Sequence, residues 1–158
     1  MFTVNTDKTI KMNRGDDVQF PLFLNNGTRS EPKRYEFEPD DGCEIYFYIL
    51  PLHGDYDDYI LKKTISTSGV MITEKPNQIP RTTYLSSVIN DNKDVVIIMD
   101  DLDTKDLTPG QYIYVVRARI KAEKINSKNI VKNKEYMEFQ ITNKYNFYLL
   151  DDDINRAE

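Results

Sequence analysis

His53 is the only histidine and Cys43 the only cysteine of the 158 residues. A catalytic imidazole needs a nucleophile to activate and a carboxylate to orient it. His53 stands in a polar turn beside Gly54-Asp55 with no such motif nearby, which reads as a surface loop. Cys43 lies between Gly42 and Glu44 at the mouth of an apolar run. With no basic cluster or helix terminus to lower its pKa, a free cysteine there behaves as a small buried hydrophobe. A lone cysteine also excludes an intrachain disulfide and a cysteine metal cluster. The aspartates gather in three places: Asp55, Asp57 and Asp58; Asp100, Asp101, Asp103 and Asp106; Asp151, Asp152 and Asp153. Such oxygens suit calcium, but no cluster has the calcium-loop spacing with its Gly and distal Glu. Turn and cap chemistry is the expected role. A carboxylate pair for glycoside hydrolysis lacks supporting signs, since the chain has no Trp to stack on sugar. Gly-rich phosphate loops and zinc patterns are missing. The residues therefore predict no catalysis, cofactor or metal.

Two short matches, Arg14-Gly15-Asp16 and Asn26-Gly27-Thr28, spell an adhesion tripeptide and a glycosylation acceptor. Both sit where a turn wants Gly with Asp or Asn, and turn formation accounts for them. Acidic residues outnumber basic ones 26 to 21, for a net charge of −5. Affinity for nucleic acid comes largely from neutralising phosphates. The densest basic stretch, Arg117 to Lys134, is interrupted by Glu123 and reads as a solvated strand and loop, so no nucleic-acid partner is expected. Nor is a membrane partner, because no apolar run reaches spanning length and the first residues lack a charged-then-apolar leader pattern.

The elements are overwhelmingly strands. Ile, Val, Tyr and Phe dominate the apolar set while Ala occurs only at 118, 122 and 157, a composition that favours pleated sheet over helix. A short strand at Thr9–Met12 precedes a turn at Asn13–Asp16. Val18, Phe20, Leu22 and Leu24 then alternate, with Pro21 marking an edge or a bulge. Glu44–Leu50 places Ile45, Phe47 and Ile49 on one face and Tyr46 and Tyr48 on the other, the pattern of a central strand. Tyr59–Ile65 and Gly69–Ile72 follow as strands. Thr82–Asn90 fits either a short helix or a strand. Asp94–Met99, Tyr112–Ile120 and Glu135–Ile141 complete the set, the last with Met137, Phe139 and Ile141 inward. Pro109-Gly110 suits the centre of a type II turn. Tyr112 just beyond it is the candidate for a tyrosine corner, whose hydroxyl ties back to upstream backbone. The expectation is an all-β, immunoglobulin-like antiparallel sandwich of about seven or eight strands with at most one short helix.

Residues 1–142 form that sandwich, and 143–158 form a C-terminal arm or extra strand with an acidic tail. Tyr145, Phe147, Tyr148, Leu149 and Leu150 are either one more strand of the same sheet or contacts for a neighbouring subunit.

Ile10-Lys11-Met12, Arg14-Gly15-Asp16-Asp17-Val18-Gln19-Phe20, the aromatic strand Ile45–Ile49, Asp103-Thr104 and the turn Leu107-Thr108-Pro109-Gly110-Gln111-Tyr112 occur in an order that resembles a known family. It is the N-terminal immunoglobulin-like domain of tailed-phage baseplate upper proteins and related virion accessory proteins. The resemblance covers roughly residues 9–121, on motifs that are mostly turns. The chain departs from that family in lacking heptads for a coiled coil. What the resemblance implies is a non-enzymatic virion structural protein without cofactor, made in the host cytoplasm and present in multiple copies. The departure favours an auxiliary or decoration protein bound to the capsid surface. A tail or baseplate component is the alternative, and a carbohydrate or host-surface binding module is another.

Overall fold

The computed structural model describes residues 3–4, 9–22, 35–39, 41–121, 136–140 and 144–151, with backbone alone for 3–4, 121 and 136–140. Leu24, Asn26-Gly27-Thr28, Ile141, Asp152 and Asp153, the side chains of Met137 and Phe139, and most of the basic stretch after Lys121 lie outside the described residues. Among the described residues there are eleven strands: β1 (Thr3–Val4), β2 (Ile10–Asn13), β3 (Val18–Leu22), β4 (Glu44–Leu50), β5 (Leu61–Ser66), β6 (Val70–Glu74), β7 (Arg81–Tyr84), β8 (Val95–Met99), β9 (Gly110–Lys121), β10 (Tyr136–Gln140) and β11 (Tyr145–Leu150). A 3-10 turn spans Tyr56–Asp58 and a single helical turn, α1, spans Asp101–Thr104.

The larger sheet has the order β1-β2-β11-β9-β4-β5-β6-β7, and β10 pairs with the far half of β9; β3 and β8 form a second, two-stranded sheet. The protein is an all-β sandwich. It has more strands than the seven or eight expected, because β1, β7 and β11 each add a short one. Among the described strand pairs one is not antiparallel: β2 runs parallel to β11, with Ile10 opposite Phe147 and Met12 opposite Leu149. These strands are far apart in sequence, so no hairpin dictates their relative direction. Thr82–Asn90 is not a helix. Its first residues belong to β7, paired with β6, and Ile89 makes an isolated bridge to Val95.

β4 is central, flanked by β9 and β5, as its two apolar faces required. Its inward Ile45, Phe47 and Ile49 are wholly buried with Val116, Ala118 and Ile120 of β9, against Val18 and Leu22 of β3 and Val95, Ile97 and Met99 of β8. The Phe47 ring meets Phe20 edge-on at 6.0 Å and Tyr114 at 5.9 Å. Pro21 is tolerated because β3 has a single described partner strand, so a missing N–H can face outward.

Candidate functional site

Three constellations concentrate the polar and aromatic chemistry. The first lies on the inner face of the large sheet, towards its β7 edge. Register aligns Phe47, Lys63, Thr73 and Arg81 laterally across β4, β5, β6 and β7. Along that row the inner face passes from apolar to charged. Lys63 sits between the buried Leu61 and Ile65 at an inward position that alternation would give to a hydrophobe, and it is completely buried. Its ammonium donates to Asp103 Oδ2 at 2.8 Å, Thr73 Oγ1 at 3.0 Å and Met71 Sδ at 3.7 Å, which uses all its donors. Arg81 forks onto Asp100 at 2.9 and 3.2 Å and reaches Asp103 Oδ1 at 2.8 Å. Two cations thus face two carboxylates, and the cluster is neutral.

The aspartates are placed by a capping box. Asp100 is the N-cap of α1 and accepts from the Leu102 N–H, while the Asp103 carboxylate accepts from the Asp100 N–H at 2.9 Å. Burial pushes the Lys63 ammonium below its usual pKa, with Asp103 opposing. Burial would raise the Asp100 carboxyl, but the hydrogen bonds and charge of Arg81 outweigh it, and Asp100 lies below the usual carboxylate range. Removing a buried pair from water is repaid only where every hydrogen bond is made. Outside this cluster, a cleft of about 240 Å³ runs between the β6–β7 turn and α1, lined by Thr73, Lys75, Gln78, Ile79, Arg81, Leu102 and Asp106. Lys75 bridges it by donating to the Leu102 carbonyl at 2.7 Å, and Ile79 at its rim is 92% exposed.

The second constellation covers the outer face of the same sheet. Tyr48, Leu50, Ile113 and Val115 form a small second core, with Tyr46, Tyr56 and Tyr59 packed on it. The β4–β5 connection folds back to supply Tyr56 and Tyr59. Its 3-10 turn is fixed by a capping box of Asp55 with Asp58. Tyr56 meets Tyr48 edge-on at 5.0 Å and lies 4.8 Å beneath the Arg117 guanidinium. Lys62 stands 5.8 and 5.6 Å over the rings of Tyr46 and Tyr48, and Lys11 stands 5.7 Å over Tyr148. Burial raises the Tyr56 pKa against the pull of Arg117.

The third is the turn into β9. The Tyr112 hydroxyl donates to the Thr108 carbonyl, the tie-back of a tyrosine corner. Leu107 packs against the core, as does Tyr112. The type II turn expected at Pro109-Gly110 is not what forms. Gly110 has φ of +155°, beyond the +80° of such a turn, because it is already the first residue of β9 and pairs with Leu149.

The remaining sequence candidates scatter. His53 is exposed in the β4–β5 connection, and Cys43 is fully buried beside the Tyr35 hydroxyl. Arg14-Gly15-Asp16 forms a turn pinned by Gly15 N–H to Thr104 Oγ1 at 2.8 Å and by Arg14 to Asp151 at 3.2 Å. Among the described residues no group of three or more His, Cys, Asp or Glu side chains is arranged to hold a metal. Tyr145–Leu150 is a strand between β2 and β9, and Phe147 and Leu149 are buried in this chain's own core. Those two cannot serve a neighbour, because both flanking strands and the opposing sheet already enclose them. Tyr148 faces outward and Leu150 is exposed at the strand end. Lys63 and Arg81 escaped sequence reading, although a lysine at an inward register position between Leu61 and Ile65 is a signal that could have found the first. Comparison of the chain with protein-family models, with curated proteins and with solved structures finds no match.

Proposed function

We propose that this chain is a non-enzymatic structural component of a tailed-phage virion, an auxiliary or decoration protein that binds the capsid surface by protein–protein contacts. The carrying observation is the outer face of the large sheet. Tyr46, Tyr59 and Tyr148 are half-buried there beside Lys11 and Lys62, over a layer in which Tyr48, Tyr56 and Arg117 pack on one another. Tyr and Arg are the side chains that protein interfaces enrich, since they offer large contact area at low entropic cost. The strongest polar constellation, around Lys63 and Asp103, is buried and self-neutralised, which suits holding the sheets together rather than turning over substrate. The Leu107–Tyr112 corner adds support through the family it resembles. Glycan binding is less favoured, because Tyr56 is already committed between Tyr48 and Arg117.

The test is co-sedimentation of the purified chain with separated heads and tails of a phage whose genome encodes it. Binding to heads, weakened at least tenfold by Tyr46→Ala with Tyr148→Ala, is the expected result. Binding to tails alone would move the assignment to a tail or baseplate component. A chain that stays monomeric and binds neither would overturn the reading.

A further inference from the structure

We infer that Lys63 and Asp103 are a modification site, at which the two side chains condense into an intramolecular amide that ties β5 to α1. The inference does not depend on the virion reading. Nζ of Lys63 lies 2.8 Å from Oδ2 of Asp103 and both side chains are wholly enclosed, so nucleophile and acyl carbon are held together where water is scarce. Amide condensation is unfavourable between free solutes. A fixed pair, however, has an effective molarity of about 10⁵–10⁸ M, which can reverse that balance.

The groups around the pair have the roles the reaction needs. Burial works against the charged ammonium, favouring the neutral amine that is the nucleophile. Thr73 Oγ1, accepting at 3.0 Å, fixes the direction in which Nζ points. Arg81 donates to Oδ1 at 2.8 Å, where the oxyanion of a tetrahedral intermediate would develop. The Asp100 N–H donates at 2.9 Å to Oδ2, the oxygen that leaves. In the step, one proton passes from Nζ to Oδ2 within the pair. Nζ then attacks Cγ and the negative charge gathers on Oδ1 beside Arg81. The second proton passes from the attacking nitrogen to the Oδ2 hydroxyl beside it, which leaves as water. The Cγ–Oδ2 bond breaks, one water departs towards the cleft that Thr73 and Arg81 line, and an Nζ–Cγ amide remains. No oxidant, reductant or co-reactant is consumed.

Intact-mass measurement of the folded wild-type chain after prolonged incubation tests this, followed by tryptic peptide mapping. The expected result is a species lighter by one water, with a branched peptide joining the Lys63 and Asp103 segments. Lys63→Arg, which cannot form the link, retains its full calculated mass. Asp103→Asn reaches the same final linked mass as wild type, by losing ammonia instead of water. A wild-type chain at its full calculated mass overturns the inference. So does a water loss that maps elsewhere, for example to a succinimide at Asp41-Gly42.

Discussion

Replacing Phe147 by Ala tests whether β11 belongs to this chain's own sandwich. Phe147 is fully buried and its strand is hydrogen-bonded on both sides, to β2 and to β9. Flanking strands restrain the collapse that would otherwise refill the space, so the cost should lie towards the upper part of the usual range for such truncations, about 3–5 kcal/mol. Leu149→Ala, equally enclosed, should cost about 2–5 kcal/mol. Leu150→Ala is the control: this side chain is 45% exposed at the strand end, and its loss should stay within about 0.5 kcal/mol. Urea unfolding read by tyrosine fluorescence gives the three values, with an unchanged m-value as the sign that two-state behaviour is kept. Repeating the wild-type curve over a wide range of protein concentration separates the two origins of burial. A strand donated by a neighbouring copy would make the midpoint climb with concentration, while an intramolecular one leaves it fixed. A Phe147→Ala cost below about 1 kcal/mol, or a concentration-dependent midpoint, would refute the reasoning.

Gly69 has φ of +104° and an added Cβ would sit 2.6 Å from the Leu85 carbonyl oxygen, so Gly69→Ala should lose more than about 1 kcal/mol in thermal unfolding. Tyr112→Phe deletes the hydroxyl that holds the Thr108 carbonyl and should cost about 0.5–1.5 kcal/mol in urea, with no change in m-value. Asp100 is held below its ordinary pKa of 3.8 once Arg81 has overcome its burial. The unfolded chain therefore binds this proton first, and the stabilisation is complete above that ordinary value and fades as pH falls through the lower folded one. The stability gap between wild type and Asp100→Asn, followed by urea titration, should close on acidification. A gap that widens would reverse the assignment.

Much of the sheet was legible because its period is local. Glu44–Leu50 announced both its limits and its two-faced burial, since alternation of Ile45, Phe47 and Ile49 with Tyr46 and Tyr48 needs no knowledge of partners. Tyr112 was legible for the same reason, its acceptor Thr108 being one turn upstream. The aspartates read as cap and turn residues are so at Asp55 with Asp58 and at Asp100 with Asp103. What alternation could not give is the match between distant segments. Lys63 finds its carboxylate on a different element, and Arg81 joins them only because β7 lies beside β6. Thr82–Asn90 stayed ambiguous because Tyr84, Leu85, Val88 and Ile89 suit one helical face, while β6 supplies a pairing edge that decides for strand. The outer tyrosine layer needed the return of the β4–β5 connection, which no periodicity encodes.

The parallel pairing of β2 with β11 has a consequence for the order of assembly. β2 emerges early from the ribosome, but its place in the large sheet is bounded by β1 and by the last of the described strands. The hairpins β4–β5–β6 can zip as they appear, and β9 can join β4 soon after. β2 must wait until β11 is released and laid against β9. Closure of this seam is the contact of highest sequence separation in the sheet and, by loop entropy, the slowest to find. Until then Ile10 and Met12 lack the strand that buries them. A nascent chain stalled before Tyr145 therefore exposes an unpaired edge on β9 next to an apolar early strand, the state in which chaperone capture or aggregation would compete with folding.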